Sequence, residues 1–164
     1  MRKLFIDLDG TLADFDSGYE SLTGVHPRKH AEHLGDVDWK VIKAMPKFFY
    51  YLSPLPHAQT FFYNLRHFGF SPTVLTGCPK EMPDAAEQKR AWVAKWLGAD
   101  VPVITCRSRD KCHHLVNAGD ILVDDWERYR HLWEALGGHW ITFKGDYVPI
   151  FDEIYDLFER DAKP

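Results

Sequence analysis

Leu4-Phe5-Ile6-Asp7-Leu8-Asp9-Gly10-Thr11-Leu12 joins an apolar run to two aspartates and a Gly-Thr pair near the start of this chain of 164 residues. The apolar run predicts a short buried strand that ends at the aspartates. Open α/β sheets bind their ligands at the carboxyl ends of the strands. Two carboxylates this close repel each other, and a divalent cation such as Mg²⁺ relieves the repulsion. The stretch therefore predicts a metal or phosphate site, and the simpler alternative is a strand end with two solvated acids.

Strands and helices alternate along much of the remaining chain. The predicted strands are Lys3–Asp7, Pro72–Thr76, Val101–Thr105, Gly119–Asp125 and Trp140–Phe143. The predicted helices are Pro56–Phe68, Pro83–Leu97, Trp126–Leu136 and Pro149–Arg160. The second of these helices has its apolar positions at Ala86, Ala91, Trp92, Ala94 and Leu97. Because strands that alternate with helices of ten or more residues indicate right-handed crossovers, we predict a three-layer, Rossmann-like α/β fold with a parallel sheet.

The segment 14–56 does not continue this alternation. It contains four prolines, the aromatic run Phe48-Phe49-Tyr50-Tyr51 and short helical pieces such as Asp36–Ala44, and it shows no convincing buried strand. We therefore predict that residues 1–13 and 57–164 form the catalytic core. Residues 14–56 would form a small helical cap, inserted after the first strand and lying over the sheet edge.

The composition narrows the classes of function. A net charge of −4 argues against a surface that binds nucleic-acid polymers. The three cysteines match neither a disulfide framework nor a standard zinc site, so we expect reduced thiols in a cytoplasmic protein. Because there is no signal-peptide pattern and no apolar run near the roughly 18 residues of a membrane span, no membrane partner is expected. The sequence does not indicate an oligomeric state.

Polar residues also follow the other predicted strands. Thr76, Lys111 and the pair Asp124-Asp125 stand at or after the second, third and fourth strands. Because parallel strands bring their carboxyl ends to one crevice, we expect these side chains near the two aspartates of the first strand. Taken singly, each has an ordinary alternative, such as a turn residue, a solvated lysine or an acid pair at a helix start. Their joint occurrence in this order favours one site.

The residue types in this set fit phosphoryl transfer through a covalent aspartyl-phosphate. One carboxylate attacks phosphorus, and a neighbouring acid protonates the leaving alcohol and then activates water. A hydroxyl and an ammonium hold the phosphoryl oxygens, and Mg²⁺ neutralises the concentrated negative charge. The expected partner is thus a small-molecule phosphate monoester.

In these motifs the sequence resembles the haloacid dehalogenase (HAD) superfamily of phosphatases. The resemblance rests on Asp7-Leu8-Asp9-Gly10-Thr11-Leu12, on Thr76 after Val74-Leu75, on Lys111, and on Ile121-Leu122-Val123-Asp124-Asp125. It implies that Asp7 is the nucleophile and a ligand of Mg²⁺. It also implies that Asp9 is the general acid and base, with its backbone carbonyl bound to the metal.

The same resemblance assigns roles to the later motifs. Thr76, Gly77 and Lys111 are implied to bind phosphate, and Asp125 to be the third protein ligand of Mg²⁺. Asp124 is implied to orient Asp125, its metal-bound water or the motif lysine. The fold implied is a HAD-like catalytic core with an inserted cap.

A closer likeness concerns the substrate. Phe48–Ala58 and Lys89–Gly98 resemble the 5'(3')-deoxyribonucleotidases, and Trp133–Gly138 resembles bacterial and phage members of this nucleotidase-like group. This likeness implies a nucleoside monophosphate substrate with water as the phosphoryl acceptor. Aromatic side chains that could then stack on the base are Phe15, Trp39, Phe48 and Phe49, and the alternative for each is packing between cap and core.

The chain departs from the family pattern at two motifs. Gly77 stands where a serine commonly follows the threonine, although its backbone N–H can still bind phosphate. The third motif is longer than the usual Thr-Arg-Asp-Lys, so Arg107 or Arg109 could share the role of Lys111. Two alternatives stay open: the same chemistry on another small phosphate such as a sugar phosphate, and a non-catalytic phosphate-binding or receiver-like module.

Overall fold

The computed structural model describes residues 2–29 and 37–162, with side chains to residue 160. The strands are β1 (Leu4–Ile6), β2 (Thr73–Gly77), β3 (Val103–Cys106), β4 (Ile121–Asp124) and β5 (His139–Thr142). The helices named below are α1 (Phe15–Thr23), α2 (Trp39–Ala44), α3 (Phe48–Tyr51), α4 (Ala58–His67), α5 (Ala85–Trp96), α6 (Arg130–Ala135) and α7 (Val148–Ala162). Two 3-10 helices cover Ser108–His114 and Glu127–Tyr129.

The five strands form one sheet in the order β3-β2-β1-β4-β5, and all of the neighbouring pairs are parallel. In the central strand, Phe5 lies opposite Thr73 on one side and Leu122 on the other. The Asp7 N–H extends the ladder by donating to the Val123 carbonyl at 2.8 Å. The predicted parallel α/β sheet is confirmed, and the carboxyl ends of β2, β1 and β4 lie side by side.

Each face of the sheet is covered by helices. On one face, Ile6, Val74 and Val123 belong to a buried cluster with side chains of α4, α5 and α7, among them Phe61, Trp92 and Ile154. On the other face, the cluster consists of Phe5, Leu75, Cys112, Leu122, Trp133 and Trp140. These are the predicted three layers. Along the described part of the chain, none of the helices has both the length and the apolar character needed to cross a bilayer.

The described part of segment 14–56 contains helices α1, α2 and α3. The predicted helix Asp36–Ala44 is present from Trp39 onward, and Asp36 lies outside the described residues. The chain enters and leaves the segment side by side, since Asp14 N–H donates to the Ser53 carbonyl at 2.8 Å. Buried side chains of the segment join the same apolar cluster as the sheet, including Tyr19, Ile42, Phe49 and Leu52. The division of the chain into core and cap stays a prediction.

Helix α5 presents a different face to the core from the one that the sequence predicts. Ala91 and Ala94 are exposed, and the buried positions are Ala85, Gln88, Lys89, Trp92 and Val93. The expectation used apolar side chains alone, whereas this helix also buries the polar side chains of Gln88 and Lys89, which have hydrogen-bond partners. Gln88 Oε1 accepts the Phe49 N–H at 3.1 Å, and Trp92 Nε1 donates to the Leu52 carbonyl at 2.8 Å. Helix α5 is thus the support on which α3 rests.

Candidate active site

The turn after β1 fixes the two aspartates of the first motif. The Leu8 carbonyl accepts the backbone N–H groups of residues 11–13, at distances between 2.8 and 3.2 Å. Gly10 lies in the turn at a φ of +80°, and a Cβ there would come within 2.4 Å of a carboxylate oxygen of Asp125. Glycine therefore permits both the turn and the close approach of the β4 end to the β1 end.

Lys111 joins these two strand ends. Its Nζ is 2.6 Å from Asp7 Oδ1 and 2.6 Å from Asp124 Oδ2, and all three side chains are buried. Burial alone would lower the pKa of Lys111, but the Asp7 and Asp124 carboxylates together raise it. Burial, followed by the Asp7 charge, raises the pKa of Asp124 to about 6. The ammonium thus stays charged and bridges two carboxylates.

Three carboxylates at this position form a group that is able to hold a metal ion. Oxygens of Asp7, Asp124 and Asp125 lie within 4.8 Å of one another, and no other group of this type occurs within the described residues. The Asp125 N–H donates to Thr11 Oγ1 at 3.2 Å, and the Thr11 hydroxyl donates to Asp125 Oδ1 at 3.2 Å. Burial, followed by the charges of Asp7 and Asp124, raises the pKa of Asp125 to about 8.

A second buried lysine reaches the same site from α5. Lys89, which is 1% exposed, donates from Nζ to Asp9 Oδ2, to the Gly77 carbonyl and to Thr76 Oγ1, the last at 3.2 Å. Burial raises the pKa of Asp9, and the Lys89 charge opposes this effect. Asp9 Oδ1 is buried without a hydrogen-bond partner.

The charges of this site suit a divalent cation. Four carboxylates, those of Asp7, Asp9, Asp124 and Asp125, face the ammonium groups of Lys89 and Lys111. With all four carboxyls ionised, the set therefore has a formal charge of −2. Hard carboxylate oxygens are the ligands that Mg²⁺ prefers, and its two positive charges would balance the set. The donor chemistry and the charge both fit Mg²⁺.

Sequence reasoning assigned no role to Lys89 or Thr11. Lys89 lies four residues after Ala85 and three before Trp92, so all three share one face of α5. A lysine on a face that also carries core residues requires a buried acceptor, because lysine is almost never fully buried without a partner. That spacing was the signal available in the sequence. Thr11 gave no such signal, because no spacing of its neighbours indicates that it contacts Asp125, which is 114 residues away.

Among the nominated aromatic residues, Phe49 contacts a side chain of the site. Phe49 is 2% exposed, and its ring centroid is 4.5 Å from Lys89 Nζ, so the ammonium covers part of the ring. Phe15 and Trp39 are half-buried; the Phe15 ring stacks on Tyr19 at 6.0 Å and lies 6.5 Å from the Trp39 ring. Phe48 is buried against Phe49. Base stacking by Phe15, Trp39, Phe48 or Phe49 stays a prediction.

The two arginines of the third motif, Arg107 and Arg109, are exposed to solvent. Arg109 Nε lies 3.6 Å from Asp110 Oδ1. Lys111, two residues later, is the basic side chain of this segment that contacts Asp7. A role for either arginine in binding phosphate stays a prediction.

Gly77 and Ser108 lie in close contact, where β2 ends and the third motif begins. A Cβ on Gly77 would lie 2.1 Å from Ser108 Oγ and 3.2 Å from Ser108 Cβ. The Ser108 hydroxyl therefore occupies the space that a side chain at position 77 would take. A glycine at position 77 therefore fits this contact, and a larger residue would require Ser108 to move.

We expect Gly77→Ala to lower the free energy of unfolding by about 1–3 kcal/mol, because an added methyl group overpacks this contact. Adding Ser108→Ala should recover most of the loss, since it removes the atom that lies closest to the new Cβ. Urea unfolding of both single variants and the double variant measures this. A Gly77→Ala protein as stable as the wild type would contradict the close packing.

Comparisons with known proteins were made for the whole chain. No protein-family model matches the chain. A protein of Vibrio phage KVP40, described as a "putative 5'(3')-deoxyribonucleotidase", is 27% identical over 161 residues, which cover 98% of this chain and 86% of the relative.

Solved structures agree with the chain in fold. A protein of Clostridium acetobutylicum described as a predicted phosphatase matches over 99% of both chains, with a TM-score of 0.59 and 12% identity. A mutant HAD family enzyme of Bacteroides thetaiotaomicron, in complex with magnesium and inorganic phosphate, matches over 92% of this chain and 99% of its own, with a TM-score of 0.54 and 14% identity. The chain therefore has the fold of the HAD-family hydrolases, and the resemblance seen in the sequence is confirmed at the level of the fold.

Proposed function

We propose that this chain, which has the HAD-hydrolase fold, is a Mg²⁺-dependent phosphomonoesterase that hydrolyses nucleoside monophosphates through an aspartyl-phosphate. One observation carries the proposal: a buried lysine bridges the first and fourth motifs, with Lys111 Nζ 2.6 Å from both Asp7 and Asp124. A binding module would have no need of a second acid beside the first. Here Asp9 stands two residues from Asp7, in contact with a different lysine.

The reaction divides into two balanced steps. In the first, a carboxylate oxygen of Asp7 bonds to phosphorus while the bond from phosphorus to the leaving oxygen breaks. Asp9 gives its proton to that oxygen, which departs as the alcohol. In the second step water bonds to phosphorus, its proton goes to Asp9, and the aspartyl-phosphate bond breaks. Asp7 is then a carboxylate again and Asp9 is protonated again.

The remaining residues hold the phosphoryl group and the metal. Thr76, the Gly77 N–H and Lys111 are proposed to bind phosphoryl oxygens. Asp7, Asp125 and the backbone carbonyl of Asp9 would hold Mg²⁺, with Asp124 fixing Lys111. When bound, the ion would stabilise negative charge on the phosphoryl oxygens as a Lewis acid.

The nucleotide substrate is supported by the phage relative, which is described as a deoxyribonucleotidase and aligns with nearly the whole chain. Partly exposed aromatic side chains, Phe15 and Trp39, lie in the segment that follows the first motif. Aromatic faces of this kind can stack on a nucleobase. A sugar phosphate would make less use of them.

A phosphate-release screen tests the proposal. The substrates are ribo- and deoxyribonucleoside 5'- and 3'-monophosphates, several sugar phosphates and one aryl phosphate, each with Mg²⁺ and again with a chelator. We expect kcat/KM for the best nucleotide to exceed that for any sugar phosphate by about tenfold, which corresponds to roughly 1.4 kcal/mol in transition-state binding. Chelation should abolish turnover of all substrates.

Each departure from this result has its own meaning. A preference for sugar phosphates would overturn the nucleotide assignment and leave the phosphatase intact. Failure to hydrolyse any monoester would overturn the proposal that the protein is a phosphatase. Stoichiometric phosphorylation by a small phosphodonor, without release, would favour the receiver-like alternative.

A further inference from the structure

We infer that Lys89 is a positioning residue, which holds the Asp9 carboxyl so that Oδ1 is the oxygen that exchanges the proton, and that the inserted segment holds Lys89 in turn through Phe49. This inference rests on the proposed function, because it concerns the acid and base of that reaction. It gives the segment 14–56 a part in the chemical step besides any part in substrate choice.

The two oxygens of Asp9 have different surroundings. Oδ2 accepts from Lys89 Nζ, whereas Oδ1 is buried and has no partner. A buried polar atom without a partner destabilises the folded protein, so its presence calls for an explanation, such as a catalytic role. Since the ammonium fixes one oxygen, the carboxyl cannot rotate freely, and the other oxygen is the one left to meet a leaving group or water.

Lys89 itself is fixed by its other contacts. Besides Asp9, its Nζ donates to the Gly77 carbonyl and to Thr76 Oγ1 at 3.2 Å. An ammonium group has three N–H donors, and these acceptors use all of them. The lysine therefore ties Asp9 to the end of β2, where the phosphoryl group is proposed to bind.

The inserted segment covers the remaining side of Lys89. The Phe49 ring centroid lies 4.5 Å from Nζ, within the range of a cation–π contact. On either side of this contact, Gln88 accepts the Phe49 N–H at 3.1 Å and Trp92 donates to the Leu52 carbonyl at 2.8 Å. Helix α3 is thereby attached to the same turns of α5 that carry the lysine.

Leaving-group dependence provides the test. Lys89→Met keeps a side chain of similar length without the charge, and the substrates are aryl phosphates whose leaving phenols span a range of pKa. We expect kcat/KM, which reports the first step, to fall by roughly 10²-fold for the poorest leaving groups, since a well-placed general acid contributes about 10²–10⁴-fold. The loss should shrink as the leaving group improves. Phe49→Leu should change kcat/KM in the same direction by a smaller factor.

The matched control is Lys95→Met on the same helix. Lys95 is exposed, and its Nζ lies 5.1 Å from the Tyr50 ring and 4.7 Å from the Trp96 ring. It therefore shares the helix and the aromatic contact of Lys89 but lies outside the described site. We expect the leaving-group dependence of Lys95→Met to equal that of the wild type.

Two results would overturn the inference. One is an equal loss of kcat/KM for all leaving groups in Lys89→Met, since that would mean that the lysine does not act through the acid of the first step. The other is additivity in urea unfolding of Lys89→Met, Asp9→Asn and the double variant, because two residues in contact should be coupled. The unfolding cycle needs no activity, so it separates failure of this inference from failure of the proposed reaction.

Discussion

Asp7→Asn is expected to reduce Mg²⁺-dependent phosphate release by on the order of 10⁴-fold or more, because the amide cannot attack phosphorus. The fold should persist. An asparagine oxygen can still accept from Lys111 Nζ, which in the wild type is 2.6 Å from Asp7 Oδ1 and equally close to Asp124. Initial rates on an aryl phosphate with Mg²⁺ measure the loss, and circular dichroism checks the fold.

A carboxylate of no proposed function gives the control for this experiment. Asp156 is exposed on α7, so Asp156→Asn removes the same charge and should leave the rate unchanged. Full activity in Asp7→Asn would exclude this residue as the nucleophile. Asp9→Asn provides a second check with an aryl phosphate whose leaving phenol departs without a proton. Loss of the base should then slow hydrolysis of the aspartyl-phosphate and let acid-stable labelled phosphate accumulate on the protein.

The parts of the fold that depend on local pattern were predictable. The apolar runs and the alternation of strands and helices were enough to predict the parallel sheet and its layers. In such a sheet, residues at strand ends become neighbours whatever their separation in sequence. This is why Asp7, Lys111 and Asp124, although far apart along the chain, could be predicted as neighbours from the sequence.

The parts that depend on side-chain partners were not predictable in the same way. Lys89 was overlooked because a helix face was judged by its apolar residues, while the structure buries a lysine whose acceptors come from β1 and β2. The contact of Ser108 with Gly77 depends on how the third motif folds back on the second. Periodicity carries no information about such contacts, because they join separate motifs. The same holds for the contact of Phe49 with Lys89, whereas a contact of Phe49 with substrate stays a prediction.

We expect the raised pKa of Asp125 to make the stability of the protein depend on pH. Burial and then the charges of Asp7 and Asp124 raise the pKa of Asp125 to about 8, from 3.8. Between these values the folded protein binds more protons than the unfolded chain, so the free energy of unfolding must fall as pH rises. Asp124, whose pKa is raised to about 6, adds to the decline in the lower part of this range. The pKa values of Asp100, Asp120 and Glu127 are lowered, so these carboxyls have the opposite effect on stability, and that effect is confined to the acid end of this range.

We therefore expect the melting temperature in a chelator to drop by several degrees between pH 5 and pH 8, since 1 kcal/mol shifts Tm by roughly 2–4 °C in a domain of this size. Mg²⁺ competes with protons for the same oxygens, so millimolar Mg²⁺ should raise Tm far more at pH 8 than at pH 5. Asp125→Asn removes both the proton site and a ligand. In that variant the decline should be smaller and centred near pH 6, where Asp124 titrates, and the Mg²⁺ shift should vanish.

An exposed carboxylate far along the chain provides the control for this experiment. Asp156→Asn should reproduce the wild-type dependence on pH and on Mg²⁺, because this exposed carboxylate lies on α7. An equal Mg²⁺ shift at pH 5 and pH 8, or one that survives in Asp125→Asn, would mean that the ion binds elsewhere. Asp7, Asp124 and Asp125 would then form a cluster balanced by Lys111 alone. Its charge surplus would have to be relieved by protons, and a protonated cluster at neutral pH is poorly suited to a reaction that needs Asp7 as a carboxylate.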